Sequence, residues 1–185
     1  MEHHSKPLGT YKIFLIGFMG SGKSAISDYL CRNYGMEKIE MDQLISEREG
    51  MPITEIFARH GEAYFRNLET ALLVELRDKE NAVISCGGGT PMRENNVAEM
   101  KKHGKVVLLT ASPQTIYDRV KNSHERPLLE GHMDVAFISN LMEQRREKYE
   151  AAADLVIHTD GKDQAAICKE LTGQLMEWEK QTCRQ

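Results

Sequence analysis

Short apolar runs alternate with longer segments of helical periodicity along most of this chain. The runs that predict β-strands cover residues 12–16, 38–41, 82–86, 106–110 and 155–158. Strands that alternate with helices in this way predict a parallel, doubly wound sheet. The expected fold class is therefore α/β, a three-layer sandwich with five parallel strands and helices on both faces. Ligands of such sheets bind beyond the carboxyl ends of the strands.

Two stretches are longer than a simple crossover between strands requires. Residues 42–79 predict a short helix, a break at 50–52, a second short helix and a longer helix over 62–79. This length leaves room for a substrate-binding insertion. Residues 120–131 are a polar loop between two helices, and such loops often act as mobile lids. We expect one domain over residues 11–185, preceded by a disordered lead-in at 1–10.

Length and charge narrow the class of protein. A chain of 185 residues can form a single domain, and its net charge of −4 provides no general basic surface for nucleic acid. No stretch approaches the roughly 20 apolar residues of a membrane-spanning helix. The four cysteines have neither zinc-ligand spacing nor a disulfide pattern, which suits a reducing cytoplasm. We expect a cytoplasmic monomer without nucleic-acid or membrane partners.

The clearest chemical signal is the stretch GFMGSGKS at residues 17–24, which lies between the first predicted strand and a helical segment. It matches the pattern G-x-x-x-x-G-K-[ST], in which backbone N–H groups surround a phosphate. In this pattern Lys23 reaches the outer phosphates and the Ser24 hydroxyl ligates magnesium. A glycine-rich turn without a ligand is the alternative, but it has no use for the Lys-Ser pair. The predicted nucleotide-binding residues here are Gly20, Ser21, Gly22, Lys23, Ser24 and Ala25.

Two acids lie near the end of the second predicted strand. Glu40 and Asp42 are two positions apart, so in an extended strand both point to the same side of the sheet. If this side faces the phosphates, one acid can serve the magnesium and the other the acceptor hydroxyl. The alternative for Asp42 is the N-cap of the following helix.

Two arginines lie on helices that have an apolar face. Arg145 falls within the apolar face of its helix, so its charge requires either an internal acid or an anion carried by a ligand. That face consists of Ile138, Leu141, Met142 and Tyr149. Arg66 lies beside the apolar face of its helix, and a surface ion pair with Glu62 or Glu69 is the simpler interpretation there.

A glycine run and a loop arginine complete the candidates. Gly87, Gly88 and Gly89 follow the third predicted strand, where backbone without side chains permits close approach of a ligand or simply forms a flexible turn. Arg126 lies in the predicted lid, immediately before Pro127. Such an arginine either neutralises charge on a transferring phosphoryl group or remains a solvated loop residue.

Together, these motifs resemble the shikimate kinase family. The resemblance covers residues 12–158 and is carried by GFMGSGKS, MDQLI, IFARHGEAYFRNLE, CGGGT, RPLL and RREKY. It implies a P-loop kinase with a nucleoside-monophosphate-kinase-like fold. The implied reaction is the ATP-dependent phosphorylation of the 3-hydroxyl of shikimate, with Mg²⁺ as cofactor. A gluconate kinase or another small hydroxy-acid kinase is the alternative enzyme, and a nucleotide-binding module without catalysis is the alternative outside enzymes.

The resemblance also implies roles for individual residues. The catalytic residues are Lys23, Asp42 and Arg126. The residues that hold shikimate are Asp42, Arg66, Gly87, Gly88, Gly89 and Arg145. Arg119 packs near the adenine, Arg126 reaches the phosphates, and the metal is served by Ser24 and Glu40. The family usually has Asp where this chain has Glu40, so we expect a weaker contact with the metal but no loss of activity.

Overall fold

The computed structural model describes residues 11–121 and 134–182. These residues contain a five-stranded sheet in the order β2-β3-β1-β4-β5. Its strands are β1 (Lys12–Ile16), β2 (Glu37–Glu40), β3 (Ala82–Ser85), β4 (Lys105–Thr110) and β5 (Leu155–His158). All neighbouring pairs are parallel, so the carboxyl ends of the strands meet at one edge of the sheet. The five predicted strands are confirmed to within one residue at each end.

Helices cover both faces of this sheet. They are α1 (Lys23–Tyr34), α2 (Met41–Glu49), α3 (Ile53–His60), α4 (Glu62–Glu75), α5 (Glu94–His103), α6 (Pro113–Val120), α7 (Val135–Ala152) and α8 (Gln164–Thr182). Side chains of β1 alternate between two buried clusters: Phe14 and Ile16 face one, and Ile13 and Leu15 face the other. The first cluster lies under α2–α5 and α7, and the second under α1 and α8. The predicted three-layer α/β sandwich is therefore confirmed.

The segment between β2 and β3 contains three helices, and two of its boundaries differ from the prediction. β2 ends at Glu40, and Met41 begins α2. The acids Glu40 and Asp42 therefore flank a junction between a strand and a helix, and do not alternate along a strand. The long helix ends at Glu75 and continues as a 3₁₀ turn, Leu76–Asp78, instead of reaching residue 79.

Some predicted features lie outside the described residues. These are the lead-in at 1–10, residues 122–131 of the predicted lid, and Arg126 within it. The helices α6 and α7 lie on either side of this part of the chain. Within residues 11–121 and 134–182, no helix has the length and apolar character needed to cross a membrane.

Candidate active site

Residues 17–24, the phosphate loop, turn the chain from β1 into α1. Gly17 has a φ of 145° and Gly22 a φ of 101°, both in the range that favours glycine. A Cβ atom on Gly17 would lie 2.3 Å from the carbonyl oxygen of Leu109, so a larger residue does not fit. The Lys23 amino group donates hydrogen bonds to the carbonyl oxygens of Gly17 at 2.9 Å and Phe18 at 3.3 Å. This places a cation over a loop that opens onto a helix N-terminus, the arrangement of a phosphate-binding loop.

A cavity of about 590 Å³ lies beside this loop. Arg119 lines it and donates hydrogen bonds to the carbonyl oxygen of Gly20 at 3.1 Å and to the Thr159 hydroxyl at 3.1 Å. This volume is within the range of about 300–1,000 Å³ that is common for small-ligand sites. The predicted nucleotide-binding residues that line the cavity are Ser21, Gly22, Ala25 and Arg119. The geometry therefore provides space for a nucleoside next to the phosphate loop.

Oxygen ligands suited to magnesium lie on the other side of the loop. The Ser24 hydroxyl donates a hydrogen bond to Oε2 of Glu40 at 3.2 Å. In the described part of the chain, no group of three or more His, Cys, Asp or Glu residues could hold a metal by itself. Mg²⁺ is usually bound through one or two protein groups together with phosphate oxygens and water, so the pair fits this ion.

The glycine run at residues 87–89 lies against two of the predicted substrate-binding side chains. A Cβ atom on Gly89 would lie 2.2 Å from Cζ of Arg66, and one on Gly87 would lie 2.7 Å from Oδ1 of Asp42. Any side chain at these two positions would occupy the space of the functional groups. The absence of side chains at these two positions lets the backbone lie directly against Arg66 and Asp42.

Arg145 reaches the same run from α7. Its Nη1 atom is 3.8 Å from the position of a Cβ on Gly88, and the Tyr149 hydroxyl donates a 2.6 Å hydrogen bond to the carbonyl oxygen of Gly88. Burial raises the pKa of Tyr149, and the neighbouring Arg145 acts against this rise. Within the described residues Arg145 makes no ion pair, whereas Arg146 pairs with Glu143 at 2.8 Å. The described residues thus provide no acid that pairs with Arg145, and its assignment to an anion carried by a ligand stays a prediction.

Glu69, which the sequence suggests only as a surface partner of Arg66, is buried beside these residues. Its fully buried carboxylate accepts hydrogen bonds from Nη1 of Arg66 at 2.7 Å and from the Thr90 hydroxyl at 2.5 Å. Arg66 also pairs with Glu62 at 3.0 Å. Both expected partners of Arg66 are confirmed, but the expectation of a surface pair is wrong for Glu69. The side-chain exposures are 15% for Arg66 and 0% for Glu69. The one available signal was the glutamate three residues after the arginine on α4.

Asp42 lies in the first turn of α2, where Glu40 and not Asp42 is the N-cap. Asp42 is exposed to solvent by its accessible surface, although protein atoms surround much of its carboxyl group. This desolvation, followed by repulsion from Glu69, raises the pKa of Asp42. Attraction by Lys23 and Arg66 acts in the opposite direction. A carboxylate with a raised pKa is the better proton acceptor.

Comparisons with known proteins identify the family of this chain. A family model described as shikimate kinase matches residues 19–176. The chain belongs to the shikimate kinase family. The shikimate kinase of Moorella thermoacetica is 40% identical to it over 168 residues, covering 90% of this chain and 95% of the relative. A solved shikimate kinase from Acinetobacter baumannii in complex with shikimate has a TM-score of 0.85 at 27% identity, covering 91% of this chain and 94% of that one.

The shikimate kinase family shares its fold with kinases that act on other acceptors. A solved gluconokinase from Sinorhizobium meliloti has a TM-score of 0.60 at 19% identity, covering 94% of this chain and 95% of that one. A likeness at this level of identity shows the fold alone. This structural likeness therefore does not favour gluconate as the acceptor.

Proposed function

We infer that this protein catalyses the ATP-dependent phosphorylation of the 3-hydroxyl of shikimate, giving shikimate 3-phosphate and ADP. The observation that carries this conclusion is the approach of Asp42, Arg66 and Arg145 to one glycine run. Two guanidinium groups suit a planar carboxylate, and the acid beside the first glycine of the run suits a hydroxyl. Shikimate carries both groups on one small ring.

The nucleotide side of the reaction uses the phosphate loop and the cavity beside it. Backbone N–H groups of the loop bind the phosphates, and Lys23 offsets the charge that develops on the phosphoryl oxygens. Arg119 borders the cavity for the nucleoside. Ser24 and Glu40 would hold Mg²⁺, which when bound neutralises charge on the β- and γ-phosphates of ATP.

The acceptor side uses Asp42 as the group that orients the 3-hydroxyl and takes its proton. As the bond between the 3-hydroxyl oxygen and the γ-phosphorus of ATP forms, the bond from that phosphorus to the bridging oxygen breaks and ADP leaves. The O–H bond of the hydroxyl breaks at the same time, and its proton passes to the Asp42 carboxylate. Arg66 and Arg145 fix the carboxylate of the substrate, which sets the direction in which the hydroxyl points. The buried Glu69 holds Arg66 in place through its 2.7 Å hydrogen bond.

Other parts of the proposal depend on the sequence. Arg126 lies outside the described residues, and its assignment to the transferring phosphoryl group remains a prediction. We also propose one kinase domain over residues 11–185, with residues 42–79 forming the acceptor site and residues 120–131 acting as the lid. We take the protein to be a cytoplasmic monomer that acts on small molecules, without nucleic-acid or membrane partners.

Calorimetric titration with shikimate tests the proposed acceptor site. Charge-assisted hydrogen bonds contribute about 1.5–3 kcal/mol, so Arg145→Ala should weaken shikimate binding by about 10- to 100-fold. Arg146→Ala is the matched control, because that arginine is 62% exposed and pairs only with Glu143 in the described chain. Equal affinities for the two variants would remove Arg145 from the substrate site.

A coupled assay with shikimate and with gluconate then separates the competing functions. Turnover with shikimate alone supports the proposal, and faster turnover with gluconate supports the other hydroxy-acid kinase. Nucleotide binding without phosphate transfer to either acid supports a non-catalytic module.

A further inference from the structure

We propose that Ser27 is a positioning residue that holds the Glu40 carboxylate against the magnesium-binding hydroxyl of Ser24. This inference rests on the proposed function, because it assigns Ser24 and Glu40 to the magnesium of the kinase reaction. Ser27 lies one turn beyond Ser24 on α1 and is completely buried.

The Ser27 hydroxyl has two acceptors within reach and a single hydrogen to donate. Oε1 of Glu40 is 2.7 Å away, and the carbonyl oxygen of Ser24 is 2.9 Å away. A hydrogen bond to an ionised carboxylate is shorter and about twice as strong as one between neutral groups. The hydrogen therefore points to Glu40, and the contact with Ser24 is secondary.

The two oxygens of Glu40 consequently have different tasks. Oε1 is the anchored oxygen, because it accepts from Ser27 and lies 3.5 Å from Nζ of Lys38. Lys38 is itself fixed by Asp28 at 2.7 Å. Oε2 is the oxygen that faces the site, 3.2 Å from Oγ of Ser24. Anchoring one oxygen sets the direction of the other.

This anchor explains how a glutamate can serve at position 40, where the shikimate kinase family usually has an aspartate. The additional methylene extends the side chain by roughly 1.5 Å and adds one rotatable bond. The extra reach brings the carboxylate onto Ser27, and the buried hydroxyl fixes the bond that would otherwise rotate. We expect an aspartate at position 40, shorter by this length, to lose the contact with Ser27. Ser27 and Glu40 thus act as a pair.

A double-mutant cycle measures this coupling without relying on catalysis. The measured quantity is the magnesium ratio, which is the affinity for ADP with saturating Mg²⁺ divided by the affinity for ADP with EDTA. Calorimetry gives this ratio for wild type, Ser27→Ala, Glu40→Asp and the double variant. Loss of a group that orients a metal ligand commonly costs 10- to 100-fold, so Ser27→Ala should reduce the ratio by about 10-fold. In the Glu40→Asp background the same change should reduce it less than about 2-fold, because no contact remains to be lost.

Thr172→Ala is the matched control, since the buried Thr172 hydroxyl on α8 donates to the backbone carbonyl of Lys169, three residues earlier, at 3.2 Å. It should leave the magnesium ratio unchanged. If Ser27→Ala does not fold, Ser27→Cys keeps the volume with a weaker donor and should show the same dependence on position 40.

A purely structural role for Ser27 predicts a different result. The variant would then lose thermal stability while the magnesium ratio stays at the wild-type value, or would change the ratio equally in both backgrounds. Either outcome overturns the inference. Failure of the proposed function is separable, because wild type would then show the magnesium coupling but no phosphate transfer to shikimate.

Discussion

At the scale of single residues, Asp42 carries a charge that function requires and folding does not favour. Crowding by protein atoms and repulsion from Glu69 raise its pKa, so the ionised form is less stable in the folded protein than in the unfolded chain. Asp42→Asn should therefore lower kcat by about 10²- to 10⁴-fold and raise the melting temperature. Solvent screening keeps the gain small, with an increase in Tm of up to about 3 °C.

The stability that Asp42→Asn gains over the wild type should increase as the pH rises. Because the pKa of Asp42 is raised in the folded protein, the wild type loses stability as the pH rises from about 3.9, the ordinary pKa of Asp, through the raised pKa. The advantage of Asp42→Asn should be complete at pH 8 and should vanish below the ordinary pKa. Urea denaturation at several pH values measures it. Asp118→Asn is the control, because the Lys121 hydrogen bond lowers the pKa of Asp118, and no gain is expected there.

Single residues could be predicted from the sequence where their chemistry conflicts with their position. Arg145 is such a case, because a charge on an apolar helix face requires an anion as its partner. Glu69 and Ser27 could not be predicted in this way. Their importance comes from burial beside Thr90 and Glu40, partners 21 and 13 positions away along the chain.

At the scale of elements, the strands could be predicted because the sheet is buried on both faces and the apolar runs mark it directly. The junction after β2 could not be predicted from the same pattern. Met41 is 0% exposed, and a buried apolar residue is equally compatible with the end of a strand and the start of a helix. The relation of Glu40 to Asp42 depends on this choice, so it required the structure.

The end of α4 provides a prediction at the same scale. The buried amino group of Lys12 donates to the carbonyl oxygens of Leu76 at 2.9 Å and Arg77 at 2.5 Å. These carbonyls lie where a helix ends, and that of Leu76 also accepts from the backbone N–H of Lys79 at 3.2 Å. Lys12→Met removes the lysine donor from both carbonyls, of which that of Leu76 keeps its bond from Lys79, and the loss should cost about 1–3 kcal/mol, or roughly 3–10 °C in Tm. Activity should persist, because Lys12 begins β1, at the opposite edge of the sheet from the site.

Urea titration measures the predicted loss of stability in Lys12→Met, and kcat with shikimate measures the activity that should persist. Lys105→Met is the control. Nζ of Lys105 lies 3.1 Å from the centre of the Trp178 ring, and such contacts contribute about 0.5–1 kcal/mol at exposed sites, so this variant should lose less stability. A Lys12→Met protein as stable as wild type would mean that desolvation of the buried cation cancels its hydrogen bonds.

At the scale of the whole molecule, the proposed site is assembled from segments that lie far apart along the chain. Its residues come from the phosphate loop, the junction after β2, α4, the glycine run and α7. The sequence predicts the sheet edge at which they meet, since the ends of parallel strands coincide there. It could not predict which helix faces turn toward that edge. Ligands that contact all these segments bind only the folded chain.

Shikimate should therefore stabilise the entire domain in one transition. At a concentration of 100 times Kd, a ligand specific for the folded state adds about 2.7 kcal/mol. For a domain of this size the gain corresponds to an increase in Tm of about 5–11 °C, which scanning calorimetry can measure. Arg145→Ala at the same concentration should lose most of the shift, and gluconate should produce none. If the melting curve divided into two steps of which shikimate moved only one, the site would belong to a local unit, and the assembly of substrate contacts across the fold would be wrong.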